Sequence, residues 1–122
     1  MSVTAASGFV ASGVAAGIKR EGKDLALVRS VPRATGAAMW TQNRVLAAPV
    51  VVSKTHLELA QPQAVVVNSG TANAATGARG EIDALATAAE AARLLGLHAE
   101  EVLVLHAAVE NRAPEIRRPE VE

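Results

Sequence analysis

Short apolar runs, interrupted by glycine, proline and charged residues, predict β-strands in the first third of the chain. Residues 8–18 are small and apolar with glycine at intervals, which is typical of an extended segment. Residues 25–28 and 36–41 are two further apolar strand candidates. The residues at 21–24 and 30–34 would form the connecting turns. The pattern therefore predicts three consecutive strands.

Residues 47–59 are ambiguous between strand and helix. Three consecutive valines at 50–52 favour a strand, because β-branched side chains fit a pleated surface. However, Pro49 suits the first position of a helix, and Val50, Lys54 and Leu57 recur at helical spacing. Periodicity alone leaves both structures open.

The second half of the chain combines two strand candidates with one long helix. Residues 64–67 and 101–105 are apolar runs of the kind found in buried strands. Between them, residues 81–95 have the helical period, and Gly96 stands where a helix C-cap is expected. The apolar stripe predicted for this helix consists of Ile82, Leu85, Ala89, Ala92 and Leu95.

The joint between the 64–67 strand and the helix is the first candidate site. The apolar run ends in Asn68, Ser69 and Gly70, and a loop of small residues follows. Ligands often bind at the carboxyl ends of strands in α/β layers, so Asn68, Ser69 and Asn73 are weak candidates for substrate binding. The same residue types also serve turns by capping their own backbone. Both interpretations stay open.

A second loop partly resembles a phosphate-binding loop. Residues 17–24 match that pattern as far as its lysine, Lys23. At the next position the pattern needs a serine or threonine hydroxyl for magnesium, whereas this chain has Asp24, whose charge would repel phosphate. We therefore expect no phosphate site here.

Charge and composition exclude several classes of function. Twelve basic residues balance twelve acidic ones, which argues against a nucleic-acid-binding surface. The chain has no cysteine, and its three histidines are far apart, so neither a disulfide framework nor a metal site is expected. No apolar run is long enough to span a membrane, and the amino terminus lacks a signal peptide. We expect a cytoplasmic protein.

Composition also predicts a thin hydrophobic core and a distinct tail. Alanine occupies 27 positions, and Phe9 and Trp40 are the only aromatic residues, so little area is available for burial. We expect such a chain to need a partner surface for stability. Of the 13 residues at 110–122, seven are charged and two are proline. We predict a folded domain at 1–109 and a charged, disordered tail at 110–122.

Four segments, taken in order, resemble the amino-terminal part of a known enzyme family. They are Gly-Phe-Val and Gly-Val-Ala-Ala-Gly-Ile-Lys within 8–19, Leu-Ala-Leu-Val at 25–28, Thr-Gln-Asn-Arg-Val and Ala-Ala-Pro-Val within 41–50, and Val-Val-Val-Asn-Ser-Gly with Ala-Asn-Ala within 65–74. This order and spacing resemble the ornithine acetyltransferase, or glutamate N-acetyltransferase, family of arginine biosynthesis. The resemblance covers about residues 3–104.

The resemblance implies both a fold and a reaction. Family members have an α/β fold of the α+β sandwich type, so this chain should form a partial αββα-like layer of short strands with two main helices, one of them at 48–59. The family precursor cleaves itself before a threonine, which becomes the nucleophile of a second chain. That threonine takes acetyl from N-acetylornithine and passes it to glutamate without a cofactor. The implied partner is therefore a downstream, nucleophile-bearing chain.

This chain departs from the family after the last predicted strand. Where the family has Ser-Thr-Gly-Val-Ile-Gly, with a Thr-Gly pair that resembles an oxyanion hole, this chain continues from His106 into Ala107 and Ala108. None of its threonines matches the self-cleavage motif. The resemblance thus implies a truncated chain that is inactive alone, and the alternative is a non-catalytic remnant or a small-amino-acid or partner-binding module. If strands 64–67 and 101–105 lack neighbours, their edges should favour self-association.

Overall fold

The computed structural model describes residues 2–70 and 76–107. Asn73, Ala108 and the predicted tail at 110–122 lie outside the described residues. The boundary predicted after residue 109 therefore stays a prediction.

Within the described ranges, four strands form one mixed sheet. They are β1 (Phe9–Val14), β2 (Leu25–Ser30), β3 (Ala64–Asn68) and β4 (Val102–His106), and they lie in the order β1-β2-β3-β4. β1 and β2 are antiparallel, as are β2 and β3, whereas β3 and β4 are parallel. With two helices, this sheet confirms the predicted α+β class.

The strand predicted at 36–41 is wrong. The described backbone there is irregular, because Gly36 at its start, and Ala34 just before it, bond to glutamine side chains instead of a strand. The Ala34 N–H donates to Gln63 Oε1 at 2.8 Å, and the Gly36 N–H donates to Gln61 Oε1 at 2.9 Å. This segment therefore follows the turn before β3 and does not join the sheet.

The ambiguous segment is helix α1 (Ala48–Leu59), which confirms the expectation drawn from the resemblance. Pro49 occupies the first turn, where its missing N–H costs no intrahelical bond. The buried residues Val52 and His56 are four apart and thus share one helix face. The strand propensity of the valines is overridden by this packing.

The long helix, α2 (Gly77–Leu95), begins four residues earlier than predicted and buries a different stripe. Ile82 is 60% exposed and Leu85 is 47% exposed, so both were wrongly assigned to the core. Small side chains pack inward instead, which lets the helix approach its neighbours closely. The C-cap prediction is confirmed, because Gly96 has a left-handed φ of 67°. The inward stripe consists of Gly80, Ala84, Ala88 and Ala92.

The core lies between α2 and the β3–β4 half of the sheet. Val66 of β3 and Val102 and Val104 of β4 contact Ala88 and Ala92 of α2. These side chains are small, as the composition predicted. The β1–β2 half contributes only partly buried side chains to this cluster.

The strand edges differ from the prediction. β3 has neighbours on both sides, so the expectation that it would be exposed is wrong. β4 is an edge strand, but α1 covers its outer side. The Ser53 hydroxyl donates to the Val104 carbonyl and accepts from the Val104 N–H, both at 2.9 Å. His56 Nδ1 lies 2.8 Å from the Val102 carbonyl oxygen. These contacts close the β4 edge to a further strand.

Candidate functional site

The carboxyl ends of β3 and β4 bring together two positions that the sequence analysis identified, Asn68 and Ala107. Asn68 is the register partner of His106, and the next N–H along β4, that of Ala107, donates to the Asn68 carbonyl at 2.7 Å. The Asn68 side-chain oxygen accepts the Gly70 N–H at 2.8 Å, which is a local turn bond. Asn68 thus shapes the strand end whether or not it also binds a substrate.

Ser69 is bonded toward β2. Its N–H donates to the Asp24 carbonyl at 2.8 Å, and its hydroxyl lies 3.5 Å from the same oxygen. These bonds fix the turn after β3 against the start of β2. Of the three binding candidates, Asn68 and Ser69 lie side by side in this turn, and the third, Asn73, lies outside the described residues.

Asp24 is a structural residue whose role the sequence analysis missed. Its side chain is buried, with the residue only 2% exposed. One carboxylate oxygen accepts the Ala16 N–H at 2.6 Å, and the other accepts the N–H groups of Ile18 and Lys19 at 2.7 and 2.9 Å. These bonds, with Lys19 and Ala16 contributing most, hold the Asp24 pKa below its ordinary value of 3.8, against the opposing effect of burial.

This arrangement supports the expectation that the 17–24 loop holds no phosphate site. The backbone N–H groups of a glycine-rich loop form an anion-binding cradle, and here the carboxylate of the same loop occupies it. Gly17 supports the loop with a φ of 81°. An aspartate directly before a strand and after such a loop is the signal that could have revealed this role.

The 17–24 loop, whose N–H groups bind the Asp24 carboxylate, packs against the turn after β3. A Cβ atom added at Gly70 would overlap the Ile18 side chain, so only glycine fits at this position without movement. Asp24 therefore holds Ile18 where its side chain lies against Gly70, directly after Asn68 and Ser69. The candidate site is built on this contact.

We expect Asp24→Asn to lower the melting temperature at pH 7 by at least about 5 °C, because an amide cannot accept all three N–H groups. A carboxyl group whose folded-state pKa is depressed stabilises the fold above its unfolded pKa, near 3.8, and loses that contribution as the pH falls through the folded value. The melting difference should therefore shrink below about pH 4. Thermal melts from pH 3 to 7 measure it.

Asp83→Asn is the matched control for this prediction. Asp83 is exposed and pairs with Arg79 across one helical turn, at 3.2 Å. Such surface pairs contribute little to stability, so its melting curve should follow that of the unsubstituted chain. An equal loss in both variants, or none in Asp24→Asn, would show that the buried carboxylate does not hold the loop.

His106 and Ala107 occupy the positions where the resemblance places the start of the oxyanion motif. The His106 Nε2 is buried and makes no hydrogen bond, and burial lowers the pKa of the ring although Asp83 opposes this effect. His106 is therefore a packed histidine and not a general base. The Ala107 methyl group offers no hydrogen bond, and its N–H is committed to Asn68. Ala108 lies outside the described residues, so its part in an oxyanion site stays a prediction.

Within residues 2–70 and 76–107, no group of three or more histidine, aspartate or glutamate side chains could hold a metal ion. The helices in the same ranges include none long and apolar enough to cross a membrane.

Comparisons with known proteins point to one family. The ArgJ family matches residues 10–113. Arginine biosynthesis bifunctional protein ArgJ of Streptomyces coelicolor is 54% identical over 106 residues, which cover 85% of this chain but only 28% of that protein. The chain thus spans little more than a quarter of the length of this relative.

Two solved structures have the same fold. The crystal structure of Arginine biosynthesis bifunctional protein ArgJ from Bacillus halodurans superposes with a TM-score of 0.85 at 40% identity, covering 89% of this chain and 58% of that one. Ornithine acetyltransferase from Mycobacterium tuberculosis, in complex with ornithine, gives a TM-score of 0.82 at 42% identity, covering 92% and 62%.

Proposed function

This chain belongs to the ArgJ family, and from that membership we propose that it forms the amino-terminal part of an ornithine acetyltransferase, which transfers acetyl from N-acetylornithine to glutamate in arginine biosynthesis. The observation that carries the proposal is the match in both sequence and fold to a structure solved with ornithine. The proposed location is the cytoplasm. No cofactor takes part in the proposed reaction.

The proposed chemistry divides between two chains. A threonine hydroxyl of the downstream chain attacks the acetyl carbonyl, and ornithine leaves as its amine takes up a proton. The amine of glutamate then attacks the acetyl ester, which forms N-acetylglutamate and releases the threonine hydroxyl. Both steps pass through a tetrahedral oxyanion that needs hydrogen-bond donors. This chain contributes the scaffold at the carboxyl ends of β3 and β4, where Asn68 and Ala107 meet.

The 122-residue chain alone should be inactive. It lacks a threonine in the self-cleavage motif, and alanine replaces both members of the expected Thr-Gly pair, at Ala107 and Ala108. Removal of one oxyanion donor typically lowers the rate about 100- to 1000-fold, and without a nucleophile the covalent route is absent. A downstream chain of the family is therefore the proposed partner.

Complementation tests the proposal. The chain is mixed with the downstream polypeptide of the Streptomyces coelicolor relative, which begins after the matched region, and incubated with N-acetylornithine and isotopically labelled glutamate. We expect no N-acetylglutamate from the chain alone and slow formation by the complex. The downstream polypeptide alone is the control. A complex that forms but never transfers acetyl, even at high enzyme concentration, would contradict the proposal.

A non-catalytic binding module is the second candidate function. It is favoured by the Ala107 methyl group and by the committed Ala107 N–H, because neither can stabilise an oxyanion. Under this alternative, the chain or its complex would bind ornithine in a calorimetric titration without any transfer. The complementation assay and the ornithine titration together therefore separate the two candidate functions.

A further inference from the structure

An apolar groove runs along the half of the sheet that α2 does not cover. It has a volume of about 560 Å³ and lies between the outer side of α2 and the β1–β2 strands. Its floor includes Leu25 and Leu27 of β2, and its wall includes Leu94 and Leu95 of α2. The exposed fractions are large for apolar side chains, at 49% for Val14 and 69% for Leu94. Such a surface is expected to have a partner.

The width of the groove matches one further helix. Neighbouring strands are about 4.8 Å apart, so the two strands β1 and β2 present about 10 Å of uncovered sheet. A helix with its side chains is about 10 Å wide, and helices pack about 8–10 Å apart. On the same face, α2 covers the β3–β4 half. A helix beside α2 would therefore complete this layer without moving any described element.

Charge identifies one end of the groove. A smaller cavity of about 320 Å³ continues it along Ser12, Leu27 and Leu95 and ends at Arg29. The Arg29 Nε is buried and makes no hydrogen bond, and the described residues give this side chain no ion-pair partner. At the other end, Glu90 is already paired with Arg93, at 2.7 Å. The groove thus carries one uncompensated positive charge.

We infer that this groove receives an amphipathic helix of the downstream polypeptide, with its apolar face on Leu27 and Leu94 and a carboxylate beside Arg29. Relatives supply such a polypeptide, since this chain covers only 28% of the Streptomyces coelicolor protein and 58% of the Bacillus halodurans chain. A six-residue strand is about 20 Å long, so a helix of about 13 residues would span the groove. The inference rests on the proposed function for the identity of the partner.

A binding assay with matched variants tests the inference. The chain, labelled at its amino terminus, is titrated with the downstream polypeptide of the Streptomyces coelicolor relative. Leu94→Asp places a charge on the groove wall and should weaken binding at least about 30-fold. Arg29→Met keeps the apolar stem, removes the charge, and should weaken binding about 10-fold with a smaller dependence on salt.

Ile82→Asp is the control, because Ile82 lies on the same helix and is 60% exposed but does not line the groove. It should bind like the unsubstituted chain. Circular dichroism of each variant checks that the exposed substitutions leave the fold intact.

The outcomes separate this inference from the proposed function. Equal affinity of Leu94→Asp and Ile82→Asp in a complex that transfers acetyl would overturn the helix site and leave the function standing. A complex that is sensitive to Leu94→Asp but transfers no acetyl would support the site and contradict the function. If the free chain forms a dimer that Leu94→Asp dissociates, the occupant is a second copy and the inference is wrong. Absence of any binding by the unsubstituted chain would overturn both.

Discussion

Replacement of Ala107 by threonine together with Ala108 by glycine is expected to raise acetyl transfer by the complemented complex about 100- to 1000-fold. The resemblance places an oxyanion-stabilising Thr-Gly pair at these two positions, and one donor of this kind typically changes the rate by that factor. The Ala107 N–H cannot serve as a donor to the oxyanion, because it already donates to the Asn68 carbonyl at 2.7 Å. The donor that the substitution at position 107 adds is the threonine hydroxyl. The rate of N-acetylglutamate formation measures the effect.

Ala107→Val with Ala108→Gly is the matched control. Valine has the branched shape of threonine but no hydroxyl, so the variant separates hydrogen bonding from packing and from the added backbone freedom of glycine. We expect no gain from it. A gain equal to that of the threonine variant would show that shape alone was limiting, and no gain from either would contradict the oxyanion assignment.

Ser53→Ala is expected to cause the largest loss of stability among the single changes considered. Its hydroxyl bonds both the N–H and the carbonyl of Val104, and all three groups are buried. Each buried polar group left without a partner costs about 1–3 kcal/mol. A total loss of about 2–4 kcal/mol would lower the melting temperature of a domain of this size by more than about 10 °C. Thermal or urea unfolding measures this change.

Thr55→Ala tests whether that loss comes from the strand edge or from the helix itself. Thr55 is exposed, and its hydroxyl donates to the Val51 carbonyl within α1, at 3.1 Å. Its removal should change stability by less than about 0.5 kcal/mol. Ser53→Ala should also expose the β4 edge and increase self-association, which light scattering would detect. If the two variants melt alike, the Ser53 bonds to β4 do not support the fold.

Elements with strong local patterns could be predicted from the sequence. The apolar runs at β2, β3 and β4 lie between polar turns, and Gly96 marks the end of α2 by its need for a left-handed conformation. Helix α1 could not be assigned from periodicity, because three valines and a proline give opposite signals. The resemblance to a family decided it.

Features that depend on tertiary contacts could not be predicted. In an alanine-rich helix the apolar stripe is poorly defined, so the pattern selected Ile82 although Ala84 and Ala88 are the buried residues. The strand expected at 36–41 is wrong, because glutamines distant in sequence bond Gly36 at its start and Ala34 just before it. In the candidate site, Asn68 and Ser69 were proposed from their position at the carboxyl end of β3, and their role in binding stays a prediction. The part played by Asp24 depends on a loop conformation that residue types alone do not reveal.

The strand order has a consequence for the sequence of folding events. β1 and β2 are antiparallel neighbours joined by the loop at 15–24 that Asp24 closes, so this hairpin needs only local contacts and can form on a microsecond scale. The parallel pairing of β3 with β4 needs the intervening α2 crossover, and its loop-closure entropy is larger. Pairing of β4 should therefore be a late event that follows the transition state, and substitutions at Val102 or Val104 should accelerate unfolding more than they slow folding. A nascent chain would present the finished hairpin, with its apolar side still open, before the rest of the sheet exists.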